Sequence, residues 1–229
     1  MNYTKAASVN LNQENKKVIA QTEQFVKDTL AGAEAGHDWW HIHRVLNNAK
    51  LILETDEADQ LVVELAVLLH DIADSKFNDG NEELGPQKAG EFLRSIHVEE
   101  NIVQHVQRII RNMSFRSGLG SVNFHSKELE IVQDADRLDA IGAIGIARTF
   151  TYGGFKNREI YNPEIPPTLN MSKEEYKNSV APSINHFYEK LLLLKDKMNT
   201  TAGRQIADDR HRFMEIYLEQ FKNEWNGKR

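Results

Sequence analysis

Three separate segments of the chain contain histidines and carboxylates of the kind that bind metal ions. The first contains His41, the second ends in the pair His70-Asp71, and the third runs from Asp134 to Asp139. Two imidazoles together with two carboxylates suit a divalent ion of borderline or hard character. The sequence therefore predicts a metal centre assembled from distant parts of the chain.

The pair His70-Asp71 follows a segment that is apolar on nearly every side. Residues 61–69 read LVVELAVLL, with Glu64 as their only charged residue. A helix without a polar face is normally buried. Burying an ionisable pair at the end of such a helix costs free energy unless a partner or a metal compensates. We therefore interpret His70 and Asp71 as metal ligands.

His41 is the favoured ligand among three upstream histidines. In a helix capped by Asp38 and predicted to run to about residue 54, His41 lies one turn before Val45 of the apolar stripe. His37 lies at the start of this helix, and His43 points away from His41. For any one of these histidines alone, the alternative is a hydrogen-bonded structural role.

The third segment offers two carboxylates, and only one of them can face the ion. Asp134 and Asp136 lie about 200° apart around a helix. Asp136 lies one turn before Asp139 and precedes a small, apolar run, so we expect it to be buried. Asp134 lies nearer the polar start of the helix, where the helix dipole favours a carboxylate without any metal. We predict Asp136 as the ligand and keep Asp134 as the alternative.

The composition excludes several classes of function. The chain has 229 residues and no cysteine, which excludes disulfides, cysteine nucleophiles and thiolate metal sites. Its net charge of −6 argues against bulk binding of nucleic acid. No stretch reaches the ~20 apolar residues of a membrane span. The first residues lack an apolar signal core, so we expect a cytoplasmic protein.

The apolar periodicity predicts an all-α fold, because no segment shows convincing strand alternation. Helices are predicted over about 11–33, 38–54, 57–73, 86–96, 99–113, 126–150 with a break after 136, 172 onward with a break near Pro182, and 201–225. Loops are predicted over 75–85, 114–124 and 151–170. The last loop is long enough to be functional, and we expect a lid over the metal site rather than a plain linker.

Taken together, these residues resemble the HD-domain metal-dependent phosphohydrolases, and in particular a branch of small stand-alone bacterial HD hydrolases. The motifs that carry the resemblance are His37-Asp38-x-x-His41-Ile42-x-Arg44-Val45, Leu69-His70-Asp71-Ile72-Ala73-Asp74 and Asp134-Ala135-Asp136-Arg137-Leu138-Asp139-Ala140-Ile141-Gly142. The resemblance extends over nearly the whole chain, including residues 149–154 and 185–192. Its motifs are specific for the superfamily and much less specific for the substrate.

The resemblance implies a single HD-domain helical bundle over residues 1–229, with a metal-binding core at about 20–150 and a C-terminal helical extension at about 171–229. One divalent ion, which can be Mn, Mg, Co, Ni, Fe or Zn, is then held by four ligands: His41, His70, Asp71 and Asp136. Some relatives hold a second metal with further histidines in the interval before the last Asp. Here His97, His105 and His125 lie outside any such motif, so we expect one metal.

The resemblance also implies a hydrolase of phosphate esters or phosphoanhydrides. We expect Asp74, one turn after Asp71, to orient the attacking water or accept its proton, and Lys76 to contact phosphate. Five further residues are predicted to bind the substrate: Arg44, Arg137, Arg148, His186 and Lys190. For the arginines, the alternative is an ion pair with an internal carboxylate. For Asp74 the alternative is a helix cap or a hydrogen bond to the backbone. For Lys76, His186 and Lys190 it is an ordinary position on the protein surface.

The expected partner is a small phosphate-containing substrate, and a nucleoside mono- or triphosphate fits best. A homo-oligomer is compatible with the sequence, whereas a membrane or bulk nucleic acid is not an expected partner. Two other classes stay open. One is a non-catalytic module that senses or holds a nucleotide at the metal. The other is a helical scaffold with a structural ion. In a structural site, protein groups normally fill all the coordination positions of the ion.

Overall fold

The structure, a computed structural model, describes residues 3–32, 38–73, 81, 83–113, 124–172, 175 and 178–228. The regular elements of these residues are helices, and no strand occurs among them, so the prediction of an all-α fold is confirmed. The α-helices are α1 Tyr3–Thr29, α2 Trp39–Leu53, α3 Gln60–Leu69, α4 Leu84–Ser95, α5 Glu100–Arg111, α6 Lys127–Asp139, α7 Gly142–Phe155, α8 Asn185–Glu189 and α9 Thr201–Trp225. Two short 3-10 helices, Leu191–Leu193 and Lys195–Lys197, lie between α8 and α9.

The chain forms two compact units, Met1–Gln133 and Asp134–Arg229. The interpretation of residues 1–229 as one HD domain stays a prediction. No helix in the described part of the chain is long and apolar enough to cross a membrane.

Helix α3 is the centre of the first unit. It packs against α1, α2 and α5, and every residue from Val62 to Leu69 is buried. The helix begins later than predicted because the Asp59 carboxylate accepts a hydrogen bond from Val62 N at 3.2 Å and caps it. It also ends earlier, at Leu69, and His70 occupies the C-cap. Both metal-ligand candidates of this segment therefore lie at or just beyond the end of a rigid, buried helix.

The one carboxylate of α3 is compensated within the first unit. Glu64 is buried, and its two carboxylate oxygens have different partners. Gln60 Nε2 donates to Glu64 Oε1 at 2.6 Å, and Lys50 Nζ lies 3.6 Å from Glu64 Oε2. Since buried charges need such partners, Glu64 has a structural explanation that involves no metal.

The second unit contains the predicted break between two helices. Helix α6 ends at Asp139 and α7 begins at Gly142, whose φ of +73° is a conformation that glycine adopts easily. A Cβ at this position would also lie 3.0 Å from the side chain of Arg210. The position therefore requires glycine both for its backbone angle and for packing against α9.

The prediction that a loop begins at residue 151 is wrong, because α7 continues to Phe155. Gly153 suggests a turn by its residue type, yet it is a buried helical residue. A Cβ at Gly153 would lie 2.1 Å from Ser183 Oγ, so this glycine permits close packing instead of a turn. The predicted loops at 75–85 and 114–124 fall largely outside the described residues.

Candidate metal centre

His41 is placed by the first turn of α2. The Asp38 carboxylate accepts a hydrogen bond from His41 N at 3.0 Å, which is the predicted N-cap. His41 is only 3% exposed, and its neighbour Ile42 is fully buried. The cap thus fixes where α2 begins and directs His41 into the interior of the first unit.

His70 is oriented by a hydrogen bond to its own helix. Its Nδ1 lies 2.8 Å from the carbonyl oxygen of Val67. Because a carbonyl can only accept, Nδ1 carries the hydrogen and Nε2 keeps its lone pair. This is the arrangement in which an outer hydrogen bond fixes the tautomer of a metal-binding histidine. It also satisfies one of the carbonyls left free at the end of α3.

The structure brings His41, His70 and Asp71 together. One ligand atom from each residue lies within 4.8 Å of the other two, and the two imidazole centroids are 5.6 Å apart. Ligand atoms about 2.1 Å from a shared ion lie roughly 3–4 Å from each other, so a small adjustment is enough for all three to bind one ion. Two imidazole nitrogens and a carboxylate oxygen also match the preferences of divalent metals. We refer to these three residues as the HHD cluster, and it fits a divalent ion.

The predicted fourth ligand belongs to the second unit. Asp136 lies on α6 and is half-buried, so the expectation of full burial from its apolar neighbours is wrong. Its role as the fourth ligand stays a prediction from sequence. Asp74 and Lys76, the predicted catalytic residues, lie outside the described residues.

Asp134, the alternative to Asp136, is fully buried and holds the start of α9. Its carboxylate accepts hydrogen bonds from Thr200 N at 2.7 Å, Thr200 Oγ1 at 2.9 Å and Asn199 N at 2.9 Å. Thr200 Oγ1 in turn accepts from Gly203 N at 2.9 Å and so caps α9. Burial raises the pKa of Asp134, and the hydrogen bonds from Thr200 and Asn199 oppose that shift. Asp134 thus has a structural role within the second unit.

Two of the predicted substrate-binding arginines have carboxylate partners. Arg137 lies 3.3 Å from Asp134 Oδ1 and donates to the carbonyl of Lys197 at 2.6 Å. Arg148 forms an ion pair with the buried Asp139. These ion pairs match the alternative that the sequence left open for the arginines. Arg44 is half-buried on α2, three residues after His41. The role of all three arginines toward substrate stays a prediction.

His186 and Lys190 lie one turn apart, His186 on α8 and Lys190 at its C-terminal end. Burial lowers the pKa of His186 to about 3, and the charges of Lys190 and Arg158 act in the same direction. His186 is therefore an uncharged imidazole at neutral pH. If it contacts substrate, as predicted, it does so through hydrogen bonds and not through a positive charge.

The neutral state of His186 predicts a particular loss of stability in acid. In the unfolded chain, His186 takes up a proton near the ordinary pKa of histidine, ~6.5. In the folded chain, it takes up the proton only near pH 3. Its contribution is therefore complete above pH 6.5 and falls as the pH drops toward 3. Between pH 7 and pH 5, we expect the free energy of unfolding to fall by about 1–2 kcal/mol less in His186→Gln than in the wild type.

Urea titrations of the wild type and the variant at both pH values measure this effect. His43→Gln is the matched control, because His43 is exposed on α2. Equal pH dependence in the wild type and in His186→Gln would show that His186 is not held neutral in the folded chain.

Comparisons with known proteins show which family contains this chain and its HHD cluster. The model of the HD domain matches residues 39–141, a range that includes the whole cluster. The Bacillus subtilis protein YpgQ is 37% identical over 215 residues, which cover 92% of this chain and 97% of YpgQ. The chain belongs to the HD-domain phosphohydrolase superfamily. It is thus related to metal-dependent hydrolases of phosphate compounds, which the HHD cluster fits.

Solved structures agree with this assignment. A crystal structure of an HD-superfamily hydrolase from Bacillus thuringiensis superposes with a TM-score of 0.75 and 46% identity, covering 93% of this chain and 100% of that one. The crystal structure of B. subtilis YpgQ in complex with ADP superposes with a TM-score of 0.72 and 34% identity, covering 92% and 96%. The similarity therefore extends well beyond the matched HD-domain residues.

Proposed function

We propose that this HD domain hydrolyses phosphate or phosphoanhydride bonds of nucleotides, with nucleoside mono- or triphosphates as substrates. The observation that carries the proposal is the HHD cluster, in which three ligand groups from two segments converge and His70 is already in the metal-binding tautomer. The choice of nucleotides is supported by the ADP complex of YpgQ. The metal ligands in this proposal are His41, His70, Asp71 and Asp136.

A divalent ion in this site would lower the pKa of a water molecule and neutralise charge on the phosphoryl oxygens. The protein supplies the geometry for that chemistry. The Asp38 cap fixes His41, the Val67 carbonyl fixes the ring of His70, and the buried helix α3 places His70 and Asp71 side by side. None of these groups has to reorganise greatly before substrate binds, which is the condition for efficient electrostatic catalysis.

The remaining roles are assigned as follows. Asp74 orients the attacking water or accepts its proton, and Lys76 contacts the phosphate. The substrate is contacted by five residues: Arg44, Arg137, Arg148, His186 and Lys190. Arg137 and Arg148 already pair with carboxylates, so each contacts only the edge of the substrate. The ion pairs also hold their side chains in place.

Product analysis on one nucleoside triphosphate tests the proposal. Purified protein is incubated with ATP or AMP and with Mn, Co, Ni or Mg in turn, and phosphate, pyrophosphate and nucleotide products are separated by chromatography. AMP plus pyrophosphate from ATP identifies a pyrophosphohydrolase, whereas phosphate from AMP identifies a phosphomonoesterase. Stoichiometric nucleotide binding without product on a broad nucleotide panel would instead favour the non-catalytic sensor.

A further inference from the structure

A cleft of about 320 Å³ lies entirely within the second unit and shares no residue with the HHD cluster. One wall is the segment that contains Pro163, Pro166 and Pro167, and the opposite side comes from α8 and α9. Proline fixes its own backbone angle, so a wall with three prolines loses little entropy when a ligand binds. The volume falls in the range typical of small-molecule sites, about 300–1,000 Å³.

Hydrogen bonds hold the proline segment against α8. Asn185 Nδ2 donates to the carbonyl of Ile165 at 2.9 Å, and Glu189 Oε1 accepts from Thr168 N at 3.0 Å. At the start of α8, Ile184 N donates to the carbonyl of Ile160 at 3.0 Å. These contacts on both sides of the prolines show that the cleft is built into the fold of the second unit.

Two tyrosines give the cleft flat aromatic surfaces. The ring of Tyr161 is fixed by edge contacts with Phe221 and Trp225, whose ring centroids lie 5.8 Å and 5.0 Å away. Tyr188 is half-buried and carries the ammonium group of Lys222 at 5.1 Å from its ring centroid. Half-buried tyrosine rings favour stacking of a flat ring system.

The polar side chains in and beside the cleft limit which substituents a bound ring system can have. Asn185 lines the cleft and is only 1% exposed, and its amide nitrogen donates to the carbonyl of Ile165, which leaves its amide oxygen as the group that can accept from a ligand. An acceptor of this kind matches a ring N–H or an exocyclic amine. Lys222 adds one positive charge, whereas Glu215 and Glu219 line the adjoining cleft and disfavour a chain of several phosphates.

We propose that this cleft binds a small molecule with a flat nitrogen heterocycle and a single anionic group, the chemistry of a nucleoside monophosphate. The ring stacks on the tyrosines, its N–H group donates to Asn185, and the anion pairs with Lys222. This site does not depend on the proposed catalytic function.

Calorimetry with AMP in the presence of EDTA tests the site without metal or turnover. The Asp71→Ala protein should bind AMP with the same Kd as the wild type, because the cleft contains no residue of the HHD cluster. Lys222→Gln should raise the Kd for AMP by about tenfold and leave that for adenosine unchanged, since it removes only a charged contact. Tyr188→Leu should weaken AMP and adenosine alike by about tenfold.

Lys228→Gln is the matched control, because Lys228 is an exposed lysine after α9 that does not line the cleft.

Binding of AMP but not ATP in this assay would support the single-anion specificity. The proposal is overturned if wild-type protein binds no AMP at millimolar concentration, or if Lys222→Gln binds AMP with unchanged Kd. It is also overturned if Asp71→Ala abolishes binding, because the metal centre would then hold the ligand. A failure of nucleotide hydrolysis leaves these binding results intact, so the two proposals are tested separately.

Discussion

Replacing Asp71 with alanine is expected to remove the bound metal and the hydrolytic activity together. Asp71 supplies the one carboxylate of the HHD cluster, and it lies directly after the buried helix α3. Without it, two imidazoles from this unit have to hold the ion. We expect kcat/KM to fall by at least about a thousandfold, a barrier increase of roughly 4 kcal/mol. His70→Ala should have the same effect.

Thermal unfolding gives a readout of the same prediction that does not depend on turnover. A metal that binds only the folded chain raises its stability, so Mn should raise the Tm of the wild type but not of Asp71→Ala. Asp28→Ala is the matched control, because Asp28 is an exposed carboxylate on α1. Metal content is measured by mass spectrometry on all three proteins. Full metal content and full rate in Asp71→Ala would show that the ligand assignment is wrong.

Local sequence correctly predicted contacts between residues that are neighbours both in sequence and in space. Asp38 caps α2 and sets His41, and both groups lie within one turn of helix. The same holds for Ser172 and Glu175 at the start of the helix predicted from 172 onward, where hydrogen bonds of 2.7 Å and 3.3 Å join the two residues as a capping box. The meeting of His41 with His70 spans more of the chain, and the resemblance to HD hydrolases made it predictable.

The role of Asp134 was not predictable from local sequence. Because Asp134 lies nearer than Asp136 to the polar start of its helix, the sequence suggested that the dipole of that helix favours the carboxylate. In the structure, the carboxylate lies instead at the N-terminus of α9, where Asn199 and Thr200 donate to it from 65 and 66 residues further along the chain. The principle of an anion at a helix N-terminus holds, but the helix is a different one. No periodicity in a single sequence identifies such a pair.

Gly153 shows the same limitation in packing. Glycine in a stretch with prolines downstream is typical of a loop, and this signal predicted that residues 151–155 are not helical. The residue is glycine because Ser183 lies against it, and the two positions are 30 residues apart. Local residue type therefore indicated the need for a small side chain, but not the reason for it.

The second large effect is expected from the pair of variants Asp134→Asn and Asp136→Asn. Five donor groups converge on the carboxylate of Asp134: Asn199 N, Asn199 Nδ2, Thr200 N, Thr200 Oγ1 and an Arg137 guanidinium nitrogen. An asparagine keeps one acceptor oxygen and turns an amide group toward donors that then lack a partner. Removing a buried, charged acceptor in this way costs about 3 kcal/mol, which corresponds to a fall in Tm of roughly 10 °C for a chain of this size.

Asp136→Asn is the matched partner, since it makes the same chemical change two residues away on a half-buried side chain. If Asp136 is the fourth ligand, this variant should lose metal and activity severely while its metal-free Tm stays within about 2 °C of the wild type, as expected for a substitution outside the core. Asp134→Asn should show the reverse, with the metal retained below its lower Tm and a modest change in rate. Metal content and the Tm in EDTA are measured on both variants. Loss of metal from Asp134→Asn together with retention in Asp136→Asn would reverse the assignment, because the buried carboxylate would then be the ligand.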